Sequence, residues 1–148
     1  MTLITIVTIA FMVLELLNIL MMYLKPEFKY SNGIGVFNGW DASKGNEEVH
    51  GLAIYLVRWV ANTKLIFIGL LIVILVLGSR EVQLYSMLVM AVTTAVFFIA
   101  LFPLIRKLDK KGHITPKYYS VILFFEVFII TGAFTTAFVL SLLGIVPY

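Results

Sequence analysis

Four long apolar stretches, residues 2–24, 52–78, 82–105 and 118–146, fill most of this chain and leave few folds open to it. Crossing a bilayer core of ~30 Å takes about 20 residues of helix at ~1.5 Å rise each. Three stretches reach that length directly. The second reaches it only by adding Arg58, Asn62 and Lys64 to its apolar run 65–77. Because the bilayer core offers no water, each segment has to satisfy its own backbone hydrogen bonds, which a helix does. The expected fold class is all-α: an integral membrane protein, a four-helix transmembrane bundle formed by a single domain over residues 1–148.

Composition agrees. Sixty-one per cent of the residues are hydrophobic and 13% are charged, with a mean hydropathy of +1.05, against ~25% charged in soluble domains. The formal net charge of +3 arises mainly beside the apolar stretches. Anionic headgroups and membrane orientation therefore account for it, and nucleic acid is not an expected partner. The chain has no cysteine, which excludes disulfides, thiolate metal sites and thiol nucleophiles. Residues 2–24 lack a charged leading region and a small-residue cleavage motif, so they are expected to remain as the first span.

The segment 106–117 carries Arg106, Lys107, Lys110, Lys111 and Lys117 against the single acid Asp109. By the positive-inside rule it is expected to face the cytoplasm. The loop 25–51, with Lys25, Lys29 and Lys44, then lies on the same side, and both termini are extracytoplasmic in a multi-pass protein of the cell membrane. Gly78-Ser79 is expected to close a tight hairpin between the second and third spans. Thr115-Pro116 resembles an N-cap and N1 pair that would start the fourth helix. Pro103 predicts a kink or early fraying of the third. Tyr23, Tyr55, Trp59, Tyr85, Tyr118 and Tyr119 fall near span ends, as interfacial aromatics do. Residues 31–40, with glycines at 33, 35 and 39, are not expected to hold a regular helix. An interfacial turn anchored by Phe37 and Trp40 is one reading of them, a re-entrant or gating loop the other. From Asn46 a helix is expected to run unbroken into the second span.

Depth singles out a few polar residues. Glu15 lies about 15 Å from the cytoplasmic end of the first helix, and Glu126 about 13–14 Å from that end of the fourth. Lys64 falls ~9 Å from the same face. A charge near the bilayer centre costs roughly 2.5–3.5 kcal/mol, so all three are expected to point inward. Glu15, Asn18, Asn62, Lys64 and Glu126 thus form a candidate intramembrane polar cluster. Two readings stay open: an interhelical ion pair that fixes the bundle, or a site that carries protons, an ion or a polar solute. Two acids sharing one base leave a surplus carboxyl, suited to carrying a proton. On the fourth helix, Gly132, Ala133, Thr136 and Ala137 have the small-xxx-small spacing that lets helices approach closely.

Asp41, Glu47, Glu48 and His50 form the one grouping of acids with histidine, at the cytoplasmic interface where Arg58 also lies. It contains no His-x-x-x-His pair, and serine-elbow and P-loop patterns are missing from the chain, so no metal or cofactor is expected and the balance leans away from an enzyme. In size, helix count and expected topology the chain resembles the membrane-associated glutathione and eicosanoid enzymes, four-helix trimers with a long cytosolic first loop. That resemblance implies a glutathione-handling motif on the second helix built from Arg, His, Asn and Glu. Arg58 and Asn62 match it, while its His and Glu have no counterpart. The sequence favours an oligomeric transport or channel-type protein, because four helices leave little room for an aqueous path within one copy. The partners expected are the lipid bilayer, further copies of the chain and a protein bound through the cytoplasmic loops. A non-catalytic accessory or assembly protein is the first alternative, and an enzyme at the cytoplasmic interface, either lipid-modifying or like the glutathione and eicosanoid enzymes, the second.

Overall fold

The computed structural model describes residues 2–29 and 33–146. Ser31 and Asn32, which open the glycine-rich segment, lie outside the described residues. The chain is all-α. Its four long apolar helices, with outward faces carrying Leu16, Leu20, Val76, Ile99 and Ile129, form a four-helix transmembrane bundle. Only 11% to 22% of each span's apolar window is buried inside the protein, so lipid must solvate the rest. Lipid also removes most of the hydrophobic drive between helices, and close packing and polar contacts hold the bundle instead.

Helix α1 (Leu3–Leu24) starts at Thr2, whose side chain accepts from the Thr5 amide at 3.2 Å. It stops at Lys25 because Pro26 disfavours helical geometry in the residue before it. A 3-10 turn (Ile34–Val36) and a short helix α2 (Asn38–Ser43) follow. The segment expected to resist regular helix thus holds six helical residues, Gly39 among them. Trp40, expected as an interfacial anchor, is 4% exposed and packs among Ile19, Met22, Val57 and Ala61.

Helix α3 (Glu47–Leu77) is capped by Asn46 and runs unbroken through the span, at ~1.5 Å per residue far longer than the hydrocarbon core. Gly78 and Ser79 make the hairpin: the Gly78 amide donates to Ile74 O at 2.9 Å, and Ser79 Oγ accepts from the Val82 amide at 3.4 Å. Gln83 Nε2 seals the turn by donating to the carbonyls of Leu75 and Gly78. Helix α4 (Arg80–Ala100) is interrupted at Leu101, where Pro103 removes a helical donor, and resumes as α5 (Phe102–Lys110). Arg106, Lys107 and Lys110 are therefore helical rather than loop. Ile105 and Leu108 on α5 pack inward.

Helix α6 (Tyr119–Leu142) begins later than Thr115-Pro116 would have it. Thr115 is occupied elsewhere. Its amide donates to Val36 O at 2.8 Å, and its hydroxyl donates to Asn38 Oδ1 at 2.8 Å. The first turn of α6 takes its cap from α5: the Asp109 carboxylate accepts from the Ser120 amide at 2.9 Å and from the Ser120 hydroxyl. The cap and the acid at a helix N-terminus both favour the helix.

At the hairpin end all four long helices share one core, to which Ile4, Leu71, Met87 and Phe134 each contribute one helix. Toward the opposite, loop end this core divides. One branch gathers α1, α2 and α3 around Ile19, Trp40 and Ala61; the other gathers α5, α6 and Val36 around Ile114, Leu123 and Val127. The first loop bridges the branches. The Asn38 amide donates to His113 O at 2.9 Å, Asn38 Nδ2 to Gly112 O at 2.9 Å, and Val36 and Ile114 beside these bonds are 1% and 3% exposed.

Candidate functional site

The division of the core leaves space at membrane depth. A cavity of about 330 Å³ lies between α1, α4 and α6, with Glu15, Asn18, Thr93, Thr94 and Glu126 as its polar wall. Leu14 and Val96, which also line it, are 58% and 51% exposed, so the cavity opens sideways between α1 and α4. Helical periodicity explains the α1 wall. Phe11, Leu14, Glu15 and Asn18 recur at three- and four-residue intervals and so share one face.

Glu15 stands at the edge of that face and also meets α3. Lys64 Nζ donates to Glu15 Oε2 at 2.7 Å, with 26% and 20% of the two side chains exposed. This length is that of a charge-assisted bond. Glu126 lies on the α6 side of the same cavity and interacts electrostatically with both Glu15 and Lys64. Glu15 and Glu126 thus face one cavity, and Lys64 is bonded to Glu15. Asn18 joins them as a cavity wall, and its buried Oδ1 has no donor. Asn62 does not join them; it is exposed on α3. Thr94 was missed as a wall residue. Its signal in the sequence was a polar side chain in the middle of an otherwise apolar span. Thr93 lines the cavity too, although its hydroxyl is spent on the Val89 carbonyl at 2.8 Å.

The remaining candidates fall elsewhere. Ala137 is fully buried and Ala133 partly so, while Gly132 and Thr136, one position round the helix, face outward. Glu47 and Glu48 are exposed in the first turn of α3, where they complement the helix dipole. His50 and Arg58 line a second cavity at the loop end, together with Trp40, Tyr23 and Glu27. Among the described residues no group of three or more histidine, aspartate and glutamate side chains is placed to hold a metal ion.

No protein-family model, curated protein or solved structure matches this chain. Its chemistry is therefore read from its own residues.

Proposed function

We propose that this small multi-pass membrane protein transports protons, or a small cation exchanged for them, with Glu126 as the carrier group. The carrying observation is that Glu126 shares a cavity within the spans with Glu15, a carboxylate already paired with Lys64. With Lys64 committed to Glu15, the second carboxyl has no cation of its own. Ionisable groups kept at this depth are expensive, and serve proton relays and ion pathways in many membrane proteins. Asn18 and Thr94 supply neutral polar groups for a solute or water beside it. A single copy opens sideways to lipid, so the reading includes an oligomer in which a neighbouring copy covers the gap between α1 and α4. Orientation follows from charge, with the loop end and its lysines facing the cytoplasm in the plasma membrane.

The test is reconstitution of the full chain in liposomes with an entrapped pH dye and an imposed pH gradient. The expected result is decay faster than in protein-free liposomes, falling to the protein-free rate in Glu126→Gln. Decay equal to that of empty liposomes, or wild-type decay in Glu126→Gln, overturns the proposal. It would leave the Glu15–Lys64 pair as a structural tie in an accessory protein.

A further inference from the structure

The loop-end cavity, about 210 Å³, is lined by Tyr23, Glu27, Trp40, His50 and Arg58 against an apolar back wall. Its polar groups divide into donors and acceptors. Arg58 is exposed and forms no hydrogen bond or ion pair among the described residues. Trp40 is 4% exposed, and its indole N–H has no acceptor. A buried donor left unpaired costs free energy and calls for a partner.

The acceptor side follows from one hydroxyl. Ser43 Oγ donates its single hydrogen to Trp40 O at 2.7 Å, and so must accept at 2.9 Å from Nδ1–H of His50. In the neutral imidazole that bond leaves the lone pair on Nε2. Glu27 adds a carboxylate with no partner among the described residues, and it does not pair with Arg58. One cavity therefore holds a cation and an N–H donor together with an anion and a nitrogen acceptor. A simple anion would meet Glu27, and a simple cation would meet Arg58. A zwitterion satisfies both.

Position narrows the source. Leu24, Leu52, Tyr55 and Trp59, within two residues in sequence of the lining residues Tyr23, Ile54 and Arg58, are exposed at 75%, 58%, 62% and 59%, the pattern of a surface at the boundary between acyl chains and headgroups. We propose that this cavity binds the zwitterionic headgroup of a phospholipid, its phosphate at Arg58 and Trp40 and its primary ammonium at Glu27 and His50. Arg is suited to the phosphate because its planar fork can give two parallel bonds. A primary ammonium has N–H groups for Glu27 and Nε2, whereas a quaternary ammonium has none.

The proposal shares no residue with the proton pathway, so either can fail alone. Its test uses the purified full chain with Trp59→Phe, which leaves Trp40 as the single tryptophan, and follows indole fluorescence. Mixed micelles of ethanolamine, choline and glycerol phospholipids are titrated in turn. Saturable binding of the ethanolamine lipid is expected, about tenfold tighter than the other two, and Arg58→Gln should weaken it about tenfold, the loss of one charge-assisted bond. Glu27→Gln should remove the preference for ethanolamine over glycerol. Equal binding of all three headgroups, or wild-type binding by Arg58→Gln, overturns the proposal. Competition by soluble phosphoethanolamine at the lipid's own concentration would assign the cavity to a free solute and overturn the lipid assignment.

Discussion

Replacing Lys64 by Met isolates the energetics of the intramembrane cluster. The Lys64–Glu15 contact is 2.7 Å, and both side chains are about three-quarters shielded. At an effective dielectric near 20, two unit charges that close attract by about 6 kcal/mol, most of which the desolvation of two ions offsets. The substitution removes the attraction but leaves Glu15 at membrane depth beside Glu126, at a penalty of about 2.5–3.5 kcal/mol. The expected loss is about 3 kcal/mol. Glu15→Gln should cost less, about 1–2 kcal/mol, because Lys64 still feels Glu126. Combining the two changes should cost about 2–3 kcal/mol rather than the roughly 4–5 of a simple sum, since neither ion of the pair is then left alone, a coupling of about 2 kcal/mol. Helicity followed through a mixed-micelle denaturant titration measures all four corners of this cycle. If Lys64→Met is no more damaging than Glu15→Gln, or if the two changes add, the pair does not hold the bundle.

Three further outcomes are expected. In Gly35→Ala the new Cβ would overlap the backbone of Glu27. The first loop must then shift, and thermal unfolding should show a loss of more than about 2 kcal/mol; an unchanged melting temperature would contradict the close approach. Asn38→Ala removes the side-chain bonds to Gly112 and Thr115 across the bridge between the two core branches. Hydrogen exchange of the Thr115 amide should speed up by about fivefold to tenfold, matching ~1 kcal/mol of local stability, and exchange unchanged from wild type would refute the bridge. The Asp41 carboxyl is held below the usual carboxylate range by Lys44, which donates to it at 3.0 Å, and then by Lys29 at 3.6 Å. Its depressed folded value means the contribution is complete above the unfolded value and disappears as pH falls through the folded one. Lys44→Met should raise the Asp41 titration seen by carboxyl NMR; an unmoved titration would show that Lys44 does not set it.

The four spans, the uninterrupted run of α3 from Asn46, the Gly78-Ser79 hairpin and the break beside Pro103 follow from composition, length and local backbone chemistry. Lipid imposes helix on any long apolar segment, and caps and prolines act within a few residues, so the sequence alone determines these features. Because rise per residue is a constant, it also put Glu15, Lys64 and Glu126 in the same half of the expected bilayer. Depth is not direction. Which way each residue points depends on how the helices rotate to pack, and only the tertiary structure brought Glu126 beside the Glu15–Lys64 pair while turning Asn62 outward. The start of α6 moved for the same reason, since Thr115 bonds to a first loop some 77 residues away in sequence and Asp109 supplies the cap from another helix. Trp40, of a type expected at the interface, is buried because α2 lays it against Ile19 and Met22 of α1 and Val57 and Ala61 of α3. Each cavity draws its walls from elements far apart in the chain, α1, α4 and α6 for one and α1, α2 and α3 for the other, an arrangement written in no single segment.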